Sequence, residues 1–394
     1  MSAAALDLHL TSEQRDLYAR TREVAAAQLT PIADAGTPGR VNRPLVAALA
    51  EHGVLARIFD ADQASAIELC LIREALARGC TEAETAFALQ GLGAYPILQA
   101  GRPELRDEWI ARVADGTAVA AFALTEPEAG SDPAALALHA APAGDGGYVL
   151  SGEKLWISNA PEADVYTVFA RSEASTGARG LTAFAVPGDA PGLGGEPKEM
   201  LAPHAIGSLT FDDVRVPAGN VLGEPGAGFR VAMRTLDLFR PSVGAFAIGM
   251  ARTALELAAA YALTRETFGK PLARHQAVAH RLAELHARTE AARLLVHQAA
   301  LAHDAGTPDP ALAAMAKLQA TETAQQAVDA AVQFHGAVAL ERGHPLEHLY
   351  RDVRAPRIYE GASEIQREII ARALFRAAEA EAEAKAGTGS GAPR

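Results

Sequence analysis

The sequence predicts an α+β fold in which a helical region, a β region and a second helical region follow one another along the chain. In the first and last regions, apolar residues recur every three or four positions, which is the spacing of one buried helix face. In the middle region, short apolar runs alternate with clusters of Gly, Pro and Asp, as is typical of a small β-barrel or sandwich. We expect a helical domain over residues 1–118, a β domain over 119–225, a helical domain over 226–380 and a flexible tail over 381–394.

The N-terminal region has both the periodicity and the end signals of helices. Leu69, Ile72 and Leu76 fall on one helix face. Thr11, with Gln14 three residues later, predicts a capping box, in which each side chain accepts a hydrogen bond from the other residue's backbone N–H. We therefore expect a helix to begin directly after Thr11.

The two later regions are divided by turn and breaker residues. Apolar runs at 165–170 and 181–186 predict strands, and Asp-Gly-Gly at 145–147 predicts a turn between two others. Residues 306–310 (Gly-Thr-Pro-Asp-Pro) separate two long helical patterns. From residue 385 the chain is rich in Gly, Ser and Pro, which predicts a frayed end.

Composition excludes several classes of protein. With 36 basic and 48 acidic residues the net charge is −12, so no global basic field would attract nucleic acid, and an anionic ligand would need locally placed Arg residues. Cys70 and Cys80 are ten residues apart and predict neither a zinc site nor a disulfide framework. The N-terminus has no signal-peptide pattern, and no charge-free run is long enough to span a bilayer. We expect a soluble cytoplasmic protein without membrane contact.

The most informative segment is 358–363 (Ile-Tyr-Glu-Gly-Ala-Ser), between Tyr-Arg-Asp at 350–352 and Glu-Ile-Gln-Arg at 364–367. Together these segments resemble the C-terminal signature of the acyl-CoA dehydrogenases. In that family the Glu before the Gly removes a proton from the substrate, and here this residue is Glu360. The residue type suits this role, because the weakly acidic proton next to a thioester needs a carboxylate with a raised pKa within hydrogen-bond reach.

Four further segments extend this resemblance over residues 11–376. The segments are 123–132 (Ala-Leu-Thr-Glu-Pro-Glu-Ala-Gly-Ser-Asp), 154–159 (Lys-Leu-Trp-Ile-Ser-Asn), 265–270 (Arg-Glu-Thr-Phe-Gly-Lys) and 333–339 (Gln-Phe-His-Gly-Ala-Val-Ala). The resemblance implies an N-terminal helical domain, a central β domain and a C-terminal four-helix bundle. The chain departs from the family at Ala337 and Ala339, where Gly is usual, and each added Cβ narrows the approach to a ligand.

The resemblance also implies FAD as the cofactor. Thr125 would bond the pyrimidine edge of the flavin, Trp156 would pack on the flavin, and Ser158 would bond near its N5 atom. Arg265 would bind the pyrophosphate of a cofactor shared across a subunit interface. The implied FAD-binding residues are Phe122, Leu124, Thr125, Gly130, Ser131, Trp156, Ile157, Ser158, Arg265, Thr267, Phe268, Gln276, Gln333, Gly336, Ala362 and Glu364.

The segment at 265–270 also fits a purely structural interpretation. Gly269 suits the position just after a helix C-terminus, and Pro271 follows it. Both interpretations can hold together.

Substrate contacts are implied at Ser131, Asp237, Phe239, Arg240 and Gly361. Family branches that lost the C-terminal base carry an acidic residue just before the Arg of this helix, whereas Phe239 stands there in this chain, so Glu360 has no rival.

The same resemblance narrows the range of possible acyl groups. Leu89 stands where Gly would deepen the pocket of longer-chain relatives, and Phe239 adds bulk nearby, which predicts a short or branched acyl group. Glu84 stands where an Arg would serve a dicarboxyl substrate, which argues against a glutaryl-type substrate.

The implied reaction is FAD-dependent α,β-dehydrogenation of an acyl thioester to the trans-2-enoyl product. Glu360 would take the pro-R α-proton while the β-hydrogen leaves as hydride to the flavin. The Glu360 backbone N–H and the flavin ribityl 2′-hydroxyl would bind the enolate oxygen. An electron-transfer flavoprotein is the implied electron acceptor, and a homotetramer, or a homodimer, is the implied assembly.

Alternatives remain open at this point. The same fold could serve an oxygen-reactive flavin oxidase or monooxygenase, an enzyme acting on acyl-carrier-protein thioesters, or a non-enzymatic helical interaction protein. Residues 344–348 (His-Pro-Leu-Glu-His) satisfy a zinc-protease pattern, but Pro345 begins a helix there and we predict no metal. The chain has no Gly-x-Gly-x-x-Gly fingerprint, which disfavours a nicotinamide enzyme.

Overall fold

A computed structural model describes residue 7 and residues 9–59, 63–172 and 177–388. The N-terminal stretch in which we expect no signal peptide lies largely outside the described residues, as do the last six residues of the expected tail. Residues 381–388 of that tail continue the last helix as far as Thr388.

The N-terminal region is helical, as expected. Thr11 caps the first helix through the predicted capping box: its hydroxyl accepts from the Gln14 N–H at 3.2 Å, and the Gln14 side chain accepts from the Thr11 N–H at 3.0 Å. A π-helical turn, Ala25–Leu29, joins the first two helices. The helices are α1 (Ser12–Val24), α2 (Thr30–Asp34), α3 (Arg43–Glu51), α4 (Ala56–Phe59), α5 (Ala66–Gly79), α6 (Thr81–Ala100) and α7 (Pro103–Ala114).

The middle region forms one hydrogen-bonded sheet of eight strands among the described residues. The strands are β1 (Ala120–Ala123), β2 (His139–Pro142), β3 (Tyr148–Ser158), β4 (Val165–Arg171), β5 (Leu181–Pro187), β6 (Leu193–Gly194), β7 (Ile206–Val216) and β8 (Val221–Leu222). Their order is β6-β7-β3-β2-β4-β5-β8, and β1 pairs in parallel with β4. Short 3-10 turns cover Pro133–Ala135, Gly177–Gly180 and Ala218–Asn220.

Strand β4 is buried on both of its faces. Val165 and Phe169 pack into the helical core, whereas Tyr166 and Val168, which alternate with them, pack into the core of the β region. Successive side chains of a strand point to opposite faces, so this strand joins the two cores.

The C-terminal region is helical again. It contains α8 (Gly228–Thr264), α9 (Gln276–Asp304), α10 (Pro310–His335), α11 (Pro345–Asp352) and α12 (Ser363–Thr388). A two-stranded hairpin of β9 (Glu266–Thr267) and β10 (Lys270–Pro271) follows α8, and 3-10 turns cover Leu272–Arg274, Gly336–Leu340 and Ala355–Arg357. The predicted break at 306–310 separates α9 from α10. The order of helical, β and helical regions confirms the predicted fold class.

Helix α8 is long and apolar enough to cross a membrane by length and composition. However, 67% of its most apolar window is buried inside the protein. It packs against α5, α9 and α10. The described contacts are therefore those of a core helix.

Helix α6 is fixed directly to the sheet. The Gln90 amide donates to the Ala118 carbonyl at 2.8 Å, and its oxygen accepts from the Ala120 N–H at 2.8 Å. The Thr167 hydroxyl donates to the Gly93 carbonyl at 2.7 Å. A Cβ on Gly93 would lie 2.5 Å from the Ala121 nitrogen, so the close approach of α6 to β1 requires glycine at this position.

We expect Gly93→Ala to lower the free energy of unfolding by about 1–3 kcal/mol, because the added methyl group must push α6 away from β1. Gly144→Ala is the matched control, since a Cβ there meets nothing within 4 Å, and its effect should stay below about 0.5 kcal/mol. Urea unfolding of both variants measures the difference. Equal midpoints for Gly93→Ala and the parent would contradict the packing argument.

Candidate active site

Glu360 lies in the loop between the 3-10 turn Ala355–Arg357 and α12, in an unusual backbone conformation. Its φ is +51°, in the left-handed region that non-glycine residues rarely adopt. Gly361 follows at φ +91°, and a Cβ there would lie 2.6 Å from the Gln366 side-chain nitrogen. Such conformations cost about 1–3 kcal/mol and persist only where the surrounding structure fixes them.

Two side chains fix this loop through its carbonyl groups. The Lys317 ammonium donates to the Tyr359 carbonyl at 3.0 Å and to the Gly361 carbonyl at 2.6 Å, so it contacts the chain on both sides of Glu360. Gln366 donates to the Gly361 carbonyl at 2.8 Å. Lys317 itself is fully buried in α10.

Helix α10 also anchors the two ends of the loop. The Glu322 carboxylate accepts from the Ser363 hydroxyl at 2.7 Å and pairs with Arg357 at 2.9 Å. The hydrogen bonds from Ser363 and Arg357 and the charge of Arg367 hold the pKa of Glu322 below its usual range, although burial opposes them. One helix thus holds the loop before, at and after Glu360.

Glu360 is partly accessible as a residue, but the Oε2 atom of its carboxyl group is buried without a hydrogen-bond partner in the described part of the chain. Burial raises the pKa of Glu360, because a carboxylate loses hydration when it leaves water. The positive charges of Arg73, Lys317 and Arg240 act in the opposite direction. The result is a carboxylate with increased proton affinity and one oxygen free to accept a proton.

Arg73 and Glu84 form a fully buried ion pair between α5 and α6. The Arg73 guanidinium also donates to the Ser242 hydroxyl at 2.7 Å, which ties both helices to α8. Burial raises the pKa of Glu84 to about 7, although Arg73 partly offsets the effect and the charge of Glu360 adds to it. Arg73 is therefore the cation that balances two buried carboxylates.

The two segments expected to face the flavin are hydrogen-bonded to each other. The Leu155 N–H donates to the Thr125 carbonyl at 3.0 Å. The Lys154 ammonium, which is fully buried, donates to the Leu124 carbonyl at 2.9 Å and pairs with Glu126 at 2.8 Å. The structure thus places residues 123–132 beside residues 154–159.

Trp156 is held in an exposed and strained conformation. It has φ +59°, and 49% of its surface is accessible. Phe268 shares both properties, with φ +51° and 97% exposure. Large aromatic residues in such positions are typical of surfaces that a ligand or another chain covers.

Other residues of the expected flavin set have packing contacts as well. Ile157 is buried in the core of the β region. Phe122 lies 4.9 Å from Phe169, ring to ring, and Phe122 and Leu124 pack against the helical core. Gly130 and Ser131 are exposed in the turn that follows β1.

The segments at 265–276 and 333–336 meet at one end of the bundle. Tyr261, near the end of α8, stacks on His335 at the end of α10 with ring centroids 4.2 Å apart. Arg265, Gln276, Gln333 and Gly336 are exposed there, and Thr267 is partly buried.

The residues expected to contact substrate divide into exposed and buried positions. Arg240 is buried and pairs with Asp237 at 2.9 Å, and its Nε atom has no partner in the described part of the chain. Phe239 is fully buried against Tyr95. Ser131 is exposed, and Asp237 and Gly361 are partly buried.

Two residues of the expected cofactor set lie near the loop. Ala362 is partly buried, whereas Glu364 is exposed and pairs with Arg367 at 3.1 Å.

Sequence reasoning did not identify Arg73, Lys317 or Gln366 as parts of the site. A signal for Lys317 existed: it stands among Ala313, Ala314 and Ala320 on an apolar helix face, where a charge needs a buried partner. Its partners could not be read from the sequence, because they lie more than 40 residues away.

The two histidines of the zinc-protease pattern at 344–348 have other roles. His344 caps α11 by accepting from the Leu346 N–H at 3.1 Å. His348 pairs with Asp352 at 3.0 Å, which raises its pKa to about 9. Among the described residues, no group of three or more His, Cys, Asp or Glu side chains could hold a metal ion.

The chain matches three family descriptions in succession: acyl-CoA dehydrogenase N-terminal domain over residues 11–117, middle domain over 121–214 and C-terminal domain over 226–375. The cyclohexane-1-carbonyl-CoA dehydrogenase of Geobacter metallireducens is 35% identical over 378 residues, covering 93% of this chain and 99% of that protein. The mitochondrial short-chain specific acyl-CoA dehydrogenase of Bos taurus is 38% identical, covering 90% and 88%. The solved butyryl-CoA dehydrogenase from Megasphaera elsdenii superimposes with a TM-score of 0.87 at 33% identity, covering 93% and 99%.

We expect Arg73→Met to lower the free energy of unfolding at pH 8 by about 3–5 kcal/mol, because it leaves the buried Glu84 carboxylate without its partner. The loss should be smaller at pH 6. With a pKa of about 7, Glu84 then holds a proton in most folded molecules and needs no cation. Urea unfolding of the FAD-loaded protein at both pH values measures the effect.

Arg372→Met serves as the control for this prediction, because it breaks an exposed pair with Glu368 at 3.7 Å and should change stability by no more than about 0.5 kcal/mol. A loss for Arg73→Met that is absent at pH 8, or that grows as the pH falls, would refute the assigned balance of charges.

Proposed function

Because the chain belongs to the acyl-CoA dehydrogenase family, we propose that Glu360 is the base with which it removes the α-proton of a short or branched acyl-CoA. The reaction is the FAD-dependent α,β-dehydrogenation of an acyl-CoA. The observation that carries the proposal is the buried Oε2 atom of Glu360, which has no hydrogen-bond partner among the described residues. An unpartnered carboxylate oxygen in a buried site is able to accept a proton from a bound substrate.

The surroundings of Glu360 suit this role in both protonation states. Burial raises its pKa toward that of a useful base, and the cations Arg73, Lys317 and Arg240 favour the ionised form from which catalysis starts. When the carboxylate takes up the proton, the desolvated charge disappears. The same burial that makes ionisation costly therefore favours proton abstraction.

The backbone of Glu360 supplies a second function. Within the described part of the chain, its N–H donates to no acceptor. A free N–H at this position can donate to the thioester oxygen as negative charge develops there, and a donor that is already oriented stabilises that charge without reorganisation. The left-handed φ of +51° sets the direction of both the side chain and this N–H.

The residues at the end of β1, in β3 and at the bundle end fit FAD. The exposed rings of Trp156 and Phe268 offer flat apolar surfaces to an aromatic ligand. Thr125 and Ser158 would bond the flavin ring, and the exposed Arg265 would pair with the pyrophosphate. FAD, when bound, accepts the hydride from the β-carbon.

A short or branched acyl group is supported by the packing between α6 and α8. Phe239 is fully buried there, and a Cβ on Gly91 would lie only 2.7 Å from its ring. Leu89 lies two residues before Gly91 in the same helix, and Glu84 pairs with Arg73. Bulky side chains and a buried ion pair along this helix favour a short acyl chain over a long one.

We further propose a homotetramer, or a homodimer, in the cytoplasm, with an electron-transfer flavoprotein as electron acceptor. Exposed apolar side chains on the C-terminal helices support assembly, because monomers seldom leave such surfaces uncovered: Leu263, Phe268, Leu340, Leu374 and Phe375 are each more than 60% accessible. A groove of about 500 Å³ between α9, α10 and α12, lined by Leu295, Leu318 and Ile370, extends this apolar surface.

The test is anaerobic mixing of the FAD-loaded protein with acyl-CoA of increasing length, including butyryl-CoA, isobutyryl-CoA, cyclohexane-1-carbonyl-CoA and palmitoyl-CoA. We expect flavin bleaching with the short and branched esters, and at least a 10³-fold slower reaction, as an order-of-magnitude estimate, for Glu360→Gln, which keeps the shape but cannot take the proton. Glu341→Gln, at an exposed site, should react like the parent. Bleaching of Glu360→Gln at the parental rate would exclude Glu360 as the base.

The rate of flavin reduction should rise with pH through a midpoint above the ordinary pKa of Glu. The sign follows from the raised pKa of Glu360: the base must be ionised to act, and burial delays its ionisation to higher pH. Stopped-flow reduction with saturating butyryl-CoA from pH 5 to pH 9 gives the profile. A rate that is flat over this range, or that falls as the pH rises, would contradict the assignment.

A further inference from the structure

We propose that Lys317 is a positioning residue for the reaction: by holding the carbonyl groups on both sides of Glu360, it fixes the base over the substrate. This inference rests on the proposed role of Glu360. The ammonium group contacts the loop at two points, 3.0 Å from the Tyr359 oxygen and 2.6 Å from the Gly361 oxygen. Two donated bonds that flank one residue restrict the rotation of that residue's backbone.

The loop needs such a restraint because its conformation is unfavourable by itself. Glu360 has a φ of +51°, which residues other than glycine rarely adopt. Glu322 holds the loop only at its ends, through Arg357 and Ser363. Gln366 supports the Gly361 carbonyl but lies 3.5 Å from the Glu360 carbonyl. Lys317 is the residue that reaches both sides of the base.

Burial of the Lys317 ammonium is costly, and core packing does not explain it. Its accessible surface is zero, and it lies among alanines on the inner face of α10. A lysine in such a place is rare unless polar partners compensate for lost hydration. The partners here are the two carbonyls of the reactive loop, so the contact with that loop accounts for the charge.

The ammonium also belongs to the charge balance around the base. Burial lowers the pKa of Lys317 to about 8, the Glu360 carboxylate opposes this shift, and Arg240 adds to it. The other charges that act on Glu360 and Lys317 are Arg73 on α5, Glu84 on α6, Glu322 on α10 and Glu364 on α12. Removing the ammonium should therefore raise the pKa of Glu360 and shift the pH profile upward.

The test compares Lys317→Met, which removes donors and charge, with Lys317→Gln, which keeps an amide donor without the charge. With FAD bound and butyryl-CoA as the probe, we expect anaerobic flavin reduction to slow about 100-fold in Lys317→Met, the order expected for a misplaced catalytic group. The dissociation constant of butyryl-CoA should change little. Lys317→Gln should be intermediate in rate, and both variants should show the same upward shift of the pH midpoint.

Hydrogen exchange supplies a readout that does not depend on turnover. Amides of residues 358–366 should exchange faster in Lys317→Met than in the parent, while those of α10 exchange at the parental rate. Thr289→Val is the control, because Thr289 is buried on α9 and bonds only to the Leu285 carbonyl of its own helix among the described residues. It should leave the rate, the pH midpoint and the exchange of the loop unaltered.

Each outcome decides the proposal. If Lys317→Met reduces its flavin at the parental rate and with the parental pH midpoint, the proposal is overturned. Failure of both lysine variants to form FAD-loaded protein also overturns it, since Lys317 would then support the whole fold. If none of the acyl-CoA esters bleaches the flavin of the parent protein, the proposed function fails, and Lys317 is not the cause.

Discussion

The structure is organised around Glu360, which has a buried carboxylate oxygen and a left-handed backbone conformation that glutamate rarely adopts. Glu360 has a left-handed φ, one unpartnered oxygen among the described residues and three cations around it, each from a different helix. Desolvation and attraction act in opposite directions on its pKa, and desolvation is the stronger effect. A base of this kind needs rigid elements that supply the compensating charges. The helices provide that rigidity, since α5 and α10 both pack against α8 through buried small and apolar residues.

The charges are distributed so that the site depends on both helical parts of the chain. Arg73 comes from α5, Glu84 from α6, Arg240 from α8 and Lys317 from α10, and the Ser242 hydroxyl links the Arg73–Glu84 pair to α8. Both helical regions therefore meet at the reactive loop. The β region contributes differently, because residues 123–132, at the end of β1, lie beside residues 154–159 of β3, where Trp156 remains exposed. The proposed base and the proposed flavin contacts thus lie in separate layers, which are joined by β4 and α6.

The sequence was sufficient for features that are local or that repeat in a family pattern. The capping box at Thr11, the break between α9 and α10, the order of the three regions and the membership of the acyl-CoA dehydrogenase family are confirmed, whereas the individual site residues remain predictions. Non-local partners could not be predicted. The contact of Lys317 with residues 359 and 361, the pairing of Arg73 with Glu84, and the stacking of Tyr261 on His335 each join positions whose proximity follows only from the tertiary fold. Motif matching also gave Ile157 a cofactor role without showing that its side chain lies in the sheet core.

Helix α6 links the residues proposed to limit the acyl chain to the residues proposed to contact the flavin. Its first turns carry Glu84 and Leu89, and its middle is joined to β1 through Gln90 and through the glycine-only contact at position 93. Strand β1 runs directly into Leu124 and Thr125. A shift of this helix would therefore also displace Leu124 and Thr125, which we propose as contacts of the flavin. On the proposed assignment, chain-length preference would change by side-chain exchange on a fixed helix, because movement of the helix would also move the proposed flavin contacts.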